Sequence, residues 1–139
     1  MNSCKTVEFI LQAEYQQLAT LSTEIDRLFL SVTLPGDRDL FIYNIKLAVH
    51  EVGNNIIEHA YGERGGEIRI NLQIDEQLRH FTADLFDTGQ SFDPATVVPP
   101  DLSQPQEQGY GLYLTNLLMD EVRYERQQKQ NHWHLCKQW

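Results

Sequence analysis

Apolar residues recur along this chain with two periods. Between Ile42 and Ile56 the apolar positions Ile42, Ile45, Val49, Val52 and Ile56 are spaced by three, four, three and four residues. That spacing predicts a helix buried along one side. The helix should run from about Asp39, an acid where helix N-termini favour one, to Tyr61. It should stop at Gly62, with Gly65 and Gly66 beyond. An earlier helix is predicted from Glu14 to Leu30 by Tyr15, Leu18, Leu21, Ile25, Leu28 and Phe29, and Leu34-Pro35-Gly36-Asp37 ends it. Elsewhere the period falls to two. Thr6–Leu11 is β-prone. In Glu67–Ile74 the apolar Ile68, Ile70, Leu72 and Ile74 alternate with Arg69, Asn71 and Gln73, and His80–Phe86 places Phe81, Ala83 and Leu85 on one face. Helical spacing returns at Tyr110–Met119. A closing hairpin is predicted from Glu121–Arg126 and His132–Gln138, with 127–131 as its loop.

The predicted order is β-α-α-β-β-loop-α-β-β. Too few strands are joined by single helices for a parallel Rossmann sheet. The pattern predicts an α+β fold, a two-layer α/β sandwich with helices on one face of a mixed, mainly antiparallel sheet. No internal repeat or linker interrupts it, so residues 1–139 are expected to form one domain.

Composition narrows the function. A net charge of −9, from 20 acids against 11 bases, argues against a general binder of nucleic acid or anionic membrane. No apolar run nears the ~20 residues of a membrane span, and the N-terminus lacks an apolar signal region. A cytoplasmic location is therefore expected. Cys4 and Cys136 match no zinc or CxxC spacing and are expected to be idle thiols.

Within the long helix Glu51, Asn55 and His59 recur every four residues, one above the other at steps of about 6 Å. A carboxylate and an amide at the margin of a core can hold Mg²⁺ and position a hydroxyl or water; the same stripe also suits a solvated helix face. Asp87-Thr88-Gly89 follows a strand end. There a carboxylate can accept from an exocyclic amine while Gly allows a flat ring to approach, although Asp-X-Gly is also ordinary turn chemistry. Gly109-Tyr110-Gly111 opens a helix, where backbone N–H groups suit a phosphate or simply cap a hinge. No Lys-Ser/Thr follows, so it is not a Walker loop. Between the last two motifs, Ser91–Gln108 is long, proline-bearing and aperiodic, as a lid over a nucleotide would be, or a plain connection.

Taken in order, ExxxN on a helix, DxG at a strand end, a loop and GxG opening a helix resemble the GHKL nucleotide-binding superfamily. Within it, the chain is similar to the stand-alone anti-sigma-factor serine kinases. The residues that carry this are Glu51-Val-Gly-Asn-Asn55, Ile56-Ile-Glu-His59-Ala-Tyr61, Asp87-Thr-Gly89-Gln-Ser-Phe-Asp93-Pro94, Gly109-Tyr-Gly111-Leu112-Tyr-Leu114 and Met119-Asp-Glu-Val122. The resemblance implies the Bergerat ATP-binding fold, with ATP and Mg²⁺ as cofactors. It implies Asn55 as the metal ligand, Glu51 as the general base, and Asp87 as acceptor of the adenine amine with Gly89 giving ring clearance. Gly109, Tyr110, Gly111 and Leu112 would border the phosphates, and His59 would lie near them. The implied activity is phosphorylation of a serine on a STAS-type anti-sigma-factor antagonist, with sequestration of a sigma factor by a homodimer in addition. A catalytically weak, ATP-dependent partner-switching module is the alternative. A histidine-kinase catalytic domain is disfavoured, since the chain starts on a strand with no helix for a phospho-acceptor histidine. Three departures stand out. Ser91 occupies a position where many superfamily members have Gly, no Thr lies between His132 and Trp139, and no Lys or Arg lies between Asp87 and Gln108. A basic contact to the γ-phosphate would then come from Arg123, Arg126 or another chain.

Overall fold

The computed structural model describes residues 4–92 and 110–139. Strand β1 (Cys4–Gln12) leads through a 3₁₀ turn at Tyr15–Leu18 into α1 (Ala19–Phe29). Helix α2 (Arg38–Asn55) follows. Its N-cap is Asp37, whose side chain accepts from Leu40 N–H at 3.1 Å, satisfying one of the backbone donors a helix start leaves over. Strands β2 (Glu67–Asp75) and β3 (His80–Asp87), helix α3 (Tyr110–Leu118) and strands β4 (Glu121–Gln127) and β5 (Gln130–Gln138) complete the order.

The five strands form one sheet, β1-β2-β3-β5-β4, and every pairing is antiparallel. Alternation sends Ile68, Ile70, Leu72 and Ile74 of β2, Phe81, Ala83 and Leu85 of β3, and Trp133 and Leu135 of β5 inward, where each is at most 4% exposed. The α1 and α2 helices cover that face. The predicted stripe Ile42, Ile45, Val49, Val52 and Ile56 is buried throughout, and with Leu21, Ile25 and Phe29 it forms the second wall of the core. The other face carries the polar half of each strand.

Two local features depart from the sequence expectation. The long helix does not remain α-helical to Tyr61, because residues Ile56–Tyr61 widen into a π-helix, a form concentrated at functional sites. The closing hairpin turns in two residues rather than five: Gln128 and Lys129 sit at φ +52° and +66°, and β5 begins at Gln130.

Candidate functional site

The site gathers on the helix-covered side of the sheet, along the C-terminal part of α2 and its π-helical extension. Glu51 is half-buried. Burial is the main cause of its carboxyl being raised above the ordinary range, and the nearby Glu58 adds to it. A carboxylate made more basic in this way suits proton abstraction. Asn55, one turn on, is the last residue of α2 and is 9% exposed. His59, four residues further on, lies within the π-helix, and its side chain is 60% exposed and pairs loosely with Glu58 at 3.8 Å. The four-residue periodicity that aligned it with Glu51 and Asn55 assumed an uninterrupted α-helix.

Two glycines press against this helix. A Cβ on Gly111, the second residue of α3, would lie 2.1 Å from Glu51 Oε2. The Glu51 carboxylate thus lies directly under the opening turn of α3. The α3 helix is held there by the buried Thr115, whose hydroxyl donates to the Gly111 carbonyl at 2.9 Å, with the Ala48 carbonyl of α2 3.4 Å away. A Cβ on Gly89 would lie 2.3 Å from the carbonyl oxygen of Ala60, so the turn after β3 packs backbone to backbone on the π-helix. Gln90 N–H donates to that same carbonyl at 2.7 Å. The contacts at Glu51 and Ala60 are nine residues apart along the helix, roughly 13 Å at the usual rise.

Asp87 ends β3 facing inward and is 2% exposed. Its Oδ1 accepts from Asn131 Nδ2 at 2.7 Å and from Gly89 N–H at 2.9 Å. Its Oδ2 is buried without a partner among the described residues. Burial raises the Asp87 carboxyl, and the bonds from Asn131 and Gly89, with the charge of Arg126, oppose that rise. An orphaned buried carboxylate oxygen is costly in a native fold, and a donor such as the exocyclic amine of a purine would complete it. The residues present therefore fit the nucleotide that the motif implies.

Sequence reasoning missed three residues that hold this turn. Asn131 Nδ2 reaches Asp87 and also the carbonyls of Gly89 and Gln90, at 3.3 and 2.9 Å. Tyr61 accepts Thr88 N–H at 2.9 Å and donates to the Glu67 carbonyl at 2.6 Å. Tyr124 donates to Asn131 Oδ1 and accepts Phe92 N–H at 2.8 Å. Asn131 stands on the strand searched for a threonine, one residue before the stretch searched. Tyr61 belonged to the quoted motif without an assigned role. Both arginines considered for the phosphates have partners within the chain. Arg126 Nη1 donates to the Gly89 carbonyl and to Asn131 Oδ1, both at 2.9 Å, and Arg123 pairs with Glu121 at 2.7 Å.

Gly109 and residues 93–108 of the stretch expected to act as a lid lie outside the described residues, and of Tyr110 only its place at the start of α3 is described. Leu112 is half-buried and packs against the core edge. Two surface hollows among the described residues lie elsewhere. One of 190 Å³ is bordered by Phe86, Glu125 and His132, and one of 390 Å³ by Val32, Pro35 and Trp139. No described helix is long and apolar enough to cross a membrane.

The chain is 39% identical over 90 aligned positions to serine-protein kinase RsbW of Bacillus cereus, an alignment covering 59% of this chain and 55% of that protein. The same figures hold for serine-protein kinase RsbW of Bacillus anthracis. This chain thus spans little more than half the length of the curated relatives it matches. A crystal structure of the RsbU and RsbW domains of a Mycobacterium tuberculosis protein superposes on 96% of this chain and 32% of its own, with a TM-score of 0.67 at 18% identity; that likeness shows the fold. The family profile described as the histidine kinase-like ATPase domain matches residues 11–137. With nearly the whole chain covered by it, this protein belongs to the histidine kinase-like ATPase domain family.

Proposed function

We propose that the chain is a Mg-ATP-dependent protein serine kinase of the anti-sigma-factor type, which phosphorylates a serine on a STAS-type antagonist and, as a homodimer, also sequesters a sigma factor. The observation that carries the reading is Glu51: a half-buried carboxylate of raised basicity, one helical turn from the buried amide of Asn55 and directly under Gly111. Phosphoryl transfer is mainly a matter of positioning and charge neutralisation, and this arrangement supplies the positioning. Glu51 orients the serine hydroxyl and takes its proton. Asn55 is the residue that would hold Mg²⁺, whose part is to neutralise phosphate charge. Asp87, fixed by Asn131, takes the purine amine on Oδ2. The Gly111 end of the helix faces the triphosphate. The kinase names of the relatives support the activity, and the family supports ATP.

The test is incubation with Mg-ATP and a STAS-type partner, read by intact mass. Glu51→Gln should slow phosphate transfer about 10²–10⁴-fold, the contribution typical of a positioned base, while leaving ATP affinity near wild type. Transfer at the wild-type rate removes Glu51 from the reaction. A second reading, an ATP-dependent partner-switching module with little catalysis, is favoured by the engagement of Arg123 with Glu121 and of Arg126 with the Gly89 carbonyl. Complex formation that depends on ATP while the partner's mass stays unchanged selects it.

A further inference from the structure

The polar face of the sheet, opposite the helices, holds a cluster that nucleotide binding does not use. Antiparallel register sets Asp84 of β3 beside His134 of β5, and Phe86 beside His132. Strand alternation points Asp84, His132 and His134 to the same side. Asp84 Oδ1 lies 2.6 Å from His132 Nε2 and 2.7 Å from His134 Nδ1. The three donor atoms all fall within 4.8 Å of one another, and among the described residues this is the one such grouping of three.

We propose that Asp84, His132 and His134 form a binding site for a divalent zinc-type ion on the open face of the sheet. Two imidazoles and a carboxylate are a donor set that zinc takes, with water in the fourth position, and imidazole selects zinc-type ions over Mg²⁺. Zn–N and Zn–O bonds of about 2.0–2.1 Å in a tetrahedron set donor atoms about 3.3 Å apart. The two carboxylate–histidine separations need to widen by about 0.6–0.7 Å to accept the ion. Rotamers at a half-exposed face, where the side chains are 21%, 32% and 19% exposed in that order, can supply this. In the metal-free form each ring directs an N–H at Asp84. To ligate, each ring turns a lone pair on that nitrogen to the ion and carries its N–H on the other nitrogen.

The surroundings favour the site. His132 is fixed in plane by stacking on Phe86, with centroids 4.3 Å apart at 17°, and the Arg69 guanidinium covers the far face of Phe86 at 4.5 Å. Asn71, the β2 register partner of Asp84, carries a buried Oδ1 without a partner among the described residues, so a further oxygen donor stands beside the cluster. Glu8 and Glu125 lie in the flanking register positions. Of the cations on this face, Arg123 is paired to Glu121 and Arg69 lies over Phe86.

The test needs no nucleotide or partner. Calorimetry with Zn²⁺ on the full chain should show one site, and Co²⁺ should give the visible d–d bands of a low-coordinate nitrogen–oxygen site, with no thiolate charge-transfer band. Excess Mg²⁺ should not displace either ion. The paired substitution His132→Gln with His134→Gln, and separately Asp84→Asn, should weaken Zn²⁺ binding by at least the 10–100-fold that loss of an outer-shell partner costs. His80→Gln, at the far end of β3, should bind as wild type. Should the double variant fail to fold by circular dichroism, the conservative Asp84→Asn carries the test. The proposal falls if wild type binds no Zn²⁺, if Asp84→Asn binds it unchanged, or if cobalt shows thiolate ligation at Cys4 or Cys136.

Discussion

Asp84 and Asp87 are the same residue on the same strand, three positions apart, and alternation puts them on opposite faces of the sheet. Asp84 is half-buried and shares one oxygen between two histidine rings. Asp87 is 2% exposed, has one oxygen fixed by Asn131 and the Gly89 N–H, and leaves the other without a donor. At the polar face, water satisfies whatever the histidines do not, so the arrangement costs little in the metal-free fold. On the core side Oδ2 has no partner among the described residues, and an uncompensated buried acceptor costs about 1–3 kcal/mol. The fold keeps that cost at the strand end where the DxG turn packs on the π-helix, which is where a ligand's donor would remove it. The two carboxylates thus separate two kinds of site: one built from side chains that satisfy each other, and one left open for what binds.

The sharpest way to break this comparison is Asp87→Asn. It turns the acceptor pair into one acceptor and one donor while keeping shape, and ATP affinity should fall about 10–100-fold, from loss of a charge-assisted bond of about 1.5–3 kcal/mol. Full affinity in calorimetry would mean that Oδ2 has no ligand role. Next in size is Gly89→Ala. The added methyl meets the Ala60 carbonyl, a backbone group that cannot rotate aside, so overpacking should lower stability by about 1–3 kcal/mol in urea unfolding. An unchanged midpoint would show that the π-helix can yield.

These two positions also show what the sequence made legible. The stripe from Ile42 to Ile56 and the alternation in 67–74 and 80–86 named the core faces because burial imposes its period on residue type. That Glu51 and Asn55 sit one turn apart on a helix and that Asp87 ends a strand was legible from the same periodicities. The π-helix itself was not legible, because it has no composition of its own: nothing in Ile56–Tyr61 announces five-residue hydrogen bonding. The hairpin was misjudged for a related reason. A two-residue turn with both φ values positive normally advertises itself with Asn-Gly or Asp-Gly, and here Gln128 and Lys129 adopt it. Reading 127–131 as loop moved Asn131 out of the sheet, and with it the residue that holds Asp87.

A smaller effect follows from pH. Burial raises the Asp87 carboxyl, so the native state keeps that proton to higher pH than the unfolded chain. A raised carboxyl makes the protein lose stability as pH climbs from the unfolded to the folded pKa, with no such loss below the unfolded value. Wild type should therefore lose stability relative to Asp87→Asn as pH rises from the acid side through the ordinary carboxylate range. Equal slopes in thermal melts across that window would contradict the burial account.

The smallest effect is expected at the other carboxylate. In metal-free protein Asp84→Asn should change stability by less than about 1 kcal/mol, the usual scale for a part-exposed ion pair, because an amide oxygen still accepts from His132 or His134 and water serves the rest. The same substitution at Asp87 removes charge from a side chain that is 2% exposed, so its consequences appear in ligand affinity and in the pH slope. Adding Zn²⁺ turns the mild site into a strong one: wild type should then melt higher than Asp84→Asn by an amount that grows with metal concentration, as mass action requires. Urea unfolding of both variants with and without the ion measures the two faces of β3 on one scale. A loss well above 1 kcal/mol at Asp84 without metal would mean that the histidine pair already acts as a structural clamp, and that the two faces differ less than their burial suggests.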